Sequence, residues 1–271
     1  MIIGKFLFIA VFFMYDEKYI NEKSLVPVEI LEEIDSTNEE AKRRIRTGKN
    51  EDFVLVARKQ TAGKGRKGRS FYSPMDTGIY FTFVHFSDSS VSDNLKVTVA
   101  TSVIASKAIK EVLDIDCRIK WVNDLYLNDK KVSGTLCECI LKGTYDNDKD
   151  AVIIGTGINI STKDFPDDLL MKAGSLSEDS IGTSDNIRND LVVYLTNGLN
   201  DFFTDPDLSG YLGFYNEHSL ILGKSVELSD ASGLLDKGIV KGFDENGAII
   251  IENEAKDLKV YDSGEISLFM L

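Results

Sequence analysis

The sequence predicts an α+β fold: a mixed, mainly antiparallel sheet with flanking helices, followed by a small barrel of short strands. Three observations predict it. Residues 132–141 and 151–160 are β-rich runs joined by a polar stretch, as in a hairpin. Residues 94–113 carry Leu95, Val99, Val103 and Ile109 at helical spacing. Beyond Gly223 the pattern shifts to four or five short strands separated by turns, within roughly fifty residues.

Residues 2–15 are almost wholly apolar, interrupted only by Gly4 and Lys5. A membrane-spanning helix needs about 18 or more apolar residues, so this run is too short. Asp16-Glu17-Lys18 follows where a signal peptide would end in small residues. The segment reads as an element packed on the core, an interfacial anchor, or an upstream extension with Met14 as the natural start. The last is preferred, so residues 1–26 are set apart as an N-terminal extension. Residues 27–221 form the main unit and 222–271 the terminal one.

Residues 28–34 alternate as a strand. Ser36 and Thr37, with Glu39 and Glu40 three residues on, offer two capping-box registers for a helix over 38–46 that stops at Gly48. Residues 53–57 read as a buried strand and 78–86 as an aromatic-rich one. Ser92 or Asp93 can cap the long helix. Short strands follow at 117–120 and 124–127, with a hairpin turn at 128–131. Residues 165–216 read as mostly helical, broken at Gly174, Gly182, Pro206 and Gly210.

The formal charge is -13, and 43% of residues are hydrophobic. An acidic chain lacks the cationic face that nucleic acid requires, and neither nucleic acid nor membrane is expected as a partner. Three cysteines without CxxC spacing read as reduced thiols of a cytoplasmic protein. His85 and His218 stand far apart, so a histidine metal site is not expected.

Against that acidic background, residues 58–70 hold six cations, three glycines and no acid. Glycines at 63, 65 and 68 allow close backbone approach, and the interleaved cations can bind phosphate oxygens. The spacing is neither a P-loop nor a dinucleotide fingerprint. The residues alone therefore indicate a phosphate-bearing ligand.

Gln60-Thr-Ala-Gly-Lys-Gly-Arg-Lys-Gly-Arg69 resembles the adenylate-binding loop of biotin protein ligases. Ser36-Thr37-Asn38, Lys120-Trp-Val-Asn-Asp124, Lys131-Val-Ser-Gly134, Glu138, Gly155-Thr-Gly-Ile-Asn159 and Gly264-Glu-Ile-Ser-Leu268 follow the family's order. The resemblance runs from about residue 28 to the end and is highly specific, because many motifs occur in sequence. It implies a class II synthetase-like catalytic domain with an SH3-like C-terminal domain. It also implies the enzyme-only class, without a DNA-binding domain.

The implied reaction activates biotin with ATP and Mg²⁺ as biotinyl-5'-AMP. The biotinyl group then passes to a lysine of a biotin carboxyl carrier protein or domain, of acetyl-CoA or pyruvate carboxylase. The resemblance assigns Ser36, Thr37 and Asn38 to the ureido ring, and Gln60, Gly63, Lys64, Gly65, Arg66, Lys131 and Gly134 to the rest of biotin. Arg66, Arg69, Phe71, Asn123, Lys131 and Asn159 would meet the nucleotide. Lys131 and Arg66 would neutralise the α-phosphate, and Asp124 would orient or deprotonate the acceptor lysine. No Mg²⁺ ligand is assigned. On a regular strand Lys131 would share a small-residue face with Ser133, Thr135, Cys137 and Cys139, leaving a trough. Val122, Phe71 and Phe269 depart from Pro, Trp and Arg, common in the family; Phe269 puts a nucleotide contact from the C-terminal domain in doubt. The family contains monomers and homodimers. Lipoate–protein ligase, of the same fold, and a non-catalytic biotin sensor are the competing readings.

Overall fold

The computed structural model describes residues 15–88, 94–145, 148–177, 186–230, 233–262 and 267–270. The order is α1 (Glu17–Lys23), β1 (Val28–Leu31), α2 (Thr37–Arg46), β2 (Phe53–Ala57), β3 (Gly78–Ser87), α3 (Asn94–Leu113), β4 (Arg118–Lys120), β5 (Asp124–Leu127), β6 (Lys130–Ile140) and β7 (Asp150–Asn159). Then come α4 (Ile187–Thr204), α5 (Ser209–Glu217), β8 (Ser225–Asp230), β9 (Gly233–Phe243), β10 (Ile249–Asn253), β11 (Leu258–Tyr261) and β12 (Ser267–Met270). Among the described residues a seven-stranded sheet runs β1-β2-β3-β7-β6-β5-β4. Only β1 and β2 pair in parallel, across the α2 crossover; the other pairs are antiparallel. The α+β reading holds.

The two faces of this sheet differ. On one, Val54, Val56, Phe81, Phe83, Val152 and Ile154 join the main core with α3 and α4. Helix α3 is buried almost all round, with Val97, Ala100, Thr101 and Ala105 as enclosed as the expected Val99 and Val103. That is the pattern of a helix packed on several sides. On the other face α2 lays Ala41 and Ile45 over Phe53, Leu55, Val84 and Ile153. Beyond the start of α2 the sheet offers glycines instead of bulky side chains, and this gap becomes the cavity.

Three expectations need correction. Ser36 does occupy the N-cap position of α2, but its side chain makes no capping bond. The Thr37 N–H is taken by Gln60 Oε1 at 2.9 Å, while Glu39 and Glu40 are held by lysines and arginines, so neither capping box closes. Residues 165–177 are not helical. They turn back on β6, where Lys131 N–H donates to Lys172 O at 2.8 Å and Gly174 N–H to Lys131 O at 2.9 Å. Residues 15–26, assigned to the extension, pack into the main body: Tyr15, Ile20 and Val26 belong to its core, and the Tyr15 hydroxyl donates to Gly78 O. The apolar run 2–14, the cap at Ser92 or Asp93, the break at Gly182, the strand start at Glu265 and the Phe269 side chain lie outside the described residues.

Among the described residues a five-stranded antiparallel sheet, β11-β10-β9-β8-β12, forms the C-terminal unit. Val226, Leu228, Val240, Ile249 and Ile251 carry the main core into it. Trp121, buried beside the cavity, donates its indole N–H to Gly247 O at 2.9 Å and joins the two units. Trp121→Phe should therefore lower unfolding free energy by about 1–3 kcal/mol, the cost of a buried unpaired carbonyl plus lost contact. Urea denaturation reads this directly; an unshifted midpoint would remove Trp121 as a tie.

No helix among the described residues is long and apolar enough to cross a membrane. The three cysteines are free, and burial pushes the Cys117 and Cys137 thiols up to about 12. His85 pairs with Asp52 and stacks on Phe203, and His218 stacks on Phe214, so both act within the fold.

Candidate functional site

A cavity of about 930 Å³ opens on the incompletely covered face of the seven-stranded sheet. Strands β6 and β7 supply its floor, the start of α2 one end, the basic loop and residues 165–173 its walls. The floor is deep because β7 lacks side chains there. A Cβ at Gly157 would overlap the Phe71 ring, and one at Gly155 would overlap the Asn38 amide. Phe71 uses the space to lie edge-on to Tyr80, with ring centroids 6.5 Å apart.

Fourteen of the fifteen residues singled out by sequence line this cavity: Ser36, Thr37, Asn38, Gln60, Lys64, Gly65, Arg66, Arg69, Phe71, Asn123, Asp124, Lys131, Gly134 and Asn159. Gly63 does not. It stands behind the wall, where a side chain would collide with Phe71 O, Ser73 Oγ and Gln60 Nε2. Its smallness serves the loop's own fold.

The head of α2 is a hydrogen-bonded cluster. Gln60 Oε1 accepts from Thr37 N–H at 2.9 Å and Thr37 Oγ1 at 3.1 Å. Thr82 Oγ1 lies 2.7 Å from both Thr37 Oγ1 and Asn38 Oδ1. Asn38 Nδ2 donates to Glu138 Oε2 at 2.9 Å. Short polar side chains fixed this way suit a compact neutral head group rich in N–H and C=O.

The loop is less uniformly cationic than its composition suggests. Arg58 is bound by Asp76 and Glu32, and Lys59 by Glu33, all outside the cavity. Lys64 reaches Glu39 at 2.7 Å. Arg66 turns inward, its Nη1 donating to Asn123 Oδ1 at 3.1 Å, and Asn123 Nδ2 donates to Thr135 O at 2.9 Å. Burial lowers the Arg66 pKa, with the Asp124 carboxylate opposing the shift. Lys67 adopts positive φ at the loop's tip, followed by Gly68.

Lys131 lies beside Asp124, Nζ 2.6 Å from Oδ1. Its strand face differs from the expected one. The β5–β6 pairing slips between Leu125 and Tyr126, leaving Val132 as an extra residue on β6. A bulge of one residue reverses the alternation. Lys131 therefore lies over Gly134, whose Cβ would meet Nζ at 2.9 Å, on the face that carries Glu138 toward Asn38. Ser133 and Thr135 are buried, and Cys137 packs against the main core. The trough is thus floored mainly by glycines, and of the expected Ser-Thr-Cys face only Thr135 lines the cavity.

Several cavity residues were not singled out by sequence. Lys120 is half-buried, its pKa lowered by that burial, with Asp124 opposing and Lys131 and Arg69 adding to the shift. Its ammonium sits 5.7 Å from the Tyr126 ring centroid. Tyr72, Phe165, Asp168, Leu169 and Lys172 form the far wall. Lys120 opens the Lys-Trp-Val-Asn-Asp run, which is its sequence signal; the 165–172 wall has none, because its composition is helix-like. Asn159 donates to Gly174 O at 3.0 Å, while its buried Oδ1 has no hydrogen-bond partner among the described residues.

The biotin/lipoate A/B protein ligase family matches residues 30–159. The bifunctional ligase/repressor BirA of Bacillus spizizenii is 30% identical over 247 residues, covering 87% of this chain and 72% of that protein. This chain belongs to the biotin/lipoate A/B protein ligase family. Within that family, BirA of Salmonella typhimurium is 29% identical over 245 residues, covering 89% of this chain and 74% of the relative. The biotin protein ligase of Aquifex aeolicus, solved in complex with biotin and ATP, superposes with a TM-score of 0.74 at 29% identity. That superposition covers 90% of this chain and 99% of the ligase.

Proposed function

We propose that this chain is an ATP-dependent biotin protein ligase. It forms biotinyl-5'-AMP and transfers the biotinyl group to a lysine of a biotin carboxyl carrier protein or domain, of acetyl-CoA or pyruvate carboxylase. The observation that carries this reading is one cavity in which Arg66 and Lys131 accompany an uncharged polar pocket at the head of α2. Residues 27–221 would be the catalytic unit and 222–271 the C-terminal unit, working in the cytoplasm.

In the first step a biotin carboxylate oxygen bonds to the α-phosphorus of ATP, and the bond from that phosphorus to the pyrophosphate oxygen breaks. Two anions must meet, so the reaction depends on neutralised charge and fixed position. Ser36, Thr37, Asn38 and Gln60 would hold the ureido ring, with Lys64, Gly65 and Gly134 beside the rest of biotin. Arg66 and Lys131 would meet the carboxylate and α-phosphate. Phe71 would pack on the base, Arg69 and Asn123 would complete the nucleotide site, and Asn159 Oδ1 would accept a bond from the nucleotide.

In the second step the acceptor amine bonds to the acyl carbon, and the acyl–oxygen bond to AMP breaks. Once phosphate takes the Lys131 ammonium, Asp124 loses its partner and can receive the acceptor's proton. Mg²⁺ would arrive on the nucleotide as part of the substrate. Substrate phosphate oxygens would supply part of its coordination, as is usual for Mg²⁺ at nucleotide sites.

Intact-mass spectrometry of a carrier domain incubated with this protein, biotin, ATP and Mg²⁺ tests the proposal. A gain of one biotinyl group requiring all components is expected. Biotin binding without transfer, or transfer of lipoate instead, would overturn it.

A further inference from the structure

We infer that Glu39 is a positioning residue: through Lys64 it latches the basic loop to α2 and holds it over the occupied cavity. The inference rests on the adenylate-forming reading above.

The contacts form one continuous series. Lys64 Nζ lies 2.7 Å from Glu39 Oε1, and Lys42 Nζ lies 2.8 Å from the same oxygen. Lys42 Nζ also reaches Glu138 Oε1 at 2.7 Å. Glu138 Oε2 accepts from Asn38 Nδ2, and Asn38 Oδ1 meets Thr82 Oγ1. A series of charge-assisted bonds therefore leads from the loop to Asn38, which lines the cavity, and a neutral bond carries it on to Thr82 of β3. The loop also closes on itself, Gly65 N–H to Arg69 O at 2.7 Å and Phe71 N–H to Gly63 O at 2.9 Å. Arg66 ties it to Asn123 on one side, and Lys64 ties it to α2 on the other.

The two ends of the series differ in solvent exposure. The Lys42 side chain is 17% exposed, whereas that of Lys64 is 47% exposed. The inner pair is sheltered and fixes Glu39. The outer pair meets water, and ion pairs of that kind contribute only about 0.2–1 kcal/mol. Such a contact is weak enough to open for substrate entry and strong enough to slow escape of a bound intermediate. Lys42 and Lys64 hold the Glu39 carboxyl down to about 2, so the latch stays charged at neutral pH.

The test uses the full chain loaded with biotin, ATP and Mg²⁺, then chased with unlabelled biotin to time adenylate release. Glu39→Gln should speed release about three- to fivefold. It should also flatten the acceleration that salt produces in the unsubstituted protein. Lys64→Met should also speed release, and the double variant should release adenylate no faster than Glu39→Gln alone, because Lys64 reaches α2 through Glu39. A general loss of helix stability would produce neither the salt effect nor the non-additivity. If the unsubstituted protein forms no adenylate, the functional reading fails and the latch with it. If adenylate forms but Glu39→Gln releases it at the unsubstituted rate and salt dependence, or the two substitutions add, the latch alone is overturned.

Discussion

Lys131→Met is expected to slow adenylate formation by about 10²–10³-fold, the size of effect seen when one preorganised charge stabiliser is removed. Methionine keeps much of the length and apolar stem, so the cavity's shape changes little. What disappears is the ammonium that stands over Gly134 and beside Asp124. Biotin affinity should change far less than the rate, because the ureido pocket lies at the other end, on α2. Single-turnover release of pyrophosphate measures the step. A rate within twofold of the unsubstituted protein would remove Lys131 from the chemistry. The substitution also leaves Asp124 without its cation, so a melting curve should accompany the kinetics.

Arg66→Gly should have the second largest effect, on retention rather than formation. Arg66 is the loop's inward-turned cation, aligned by Asn123 and desolvated enough that burial lowers its pKa. A guanidinium bonded to a carboxyl or phosphate oxygen contributes about 1.5–3 kcal/mol, so adenylate should escape about 10- to 150-fold faster. Released adenylate acylates lysines indiscriminately, and bystander proteins in the mixture should become labelled. Stopped-flow dissociation and a blot for biotin on an unrelated protein give two independent readouts. An unchanged off-rate would contradict the role.

The elements legible in the sequence are those whose pattern is set locally. The buried run at β2, the aromatic strand β3, the long helix α3 and the hairpin of β6 and β7 each declare themselves by period and turn residues. The cavity was legible through the glycines and cations of the loop and the short polar residues before α2. What remained hidden depends on pairing between distant residues. The bulge at Val132 follows from how β5 and β6 align, and it reversed the face expected beneath Lys131. The capping box of Thr37 and Glu40 could not be seen to fail, because Gln60, far along the chain, takes the Thr37 N–H. Residues 165–172 carry a helix-like composition, yet their backbone is claimed by Lys131 and they become a cavity wall. Nor does composition reveal that Arg58, Lys59 and Lys64 are already matched by acids, leaving Arg66 to face inward.

The central claim is that this cavity joins biotin to the α-phosphate of ATP. Its most direct measurement is exchange of radiolabelled pyrophosphate into ATP by the purified full chain, with biotin or lipoate as the acid. Exchange that requires biotin, ignores lipoate and collapses in Lys131→Met is the predicted result. Exchange driven by lipoate, or none with saturating biotin, would contradict it.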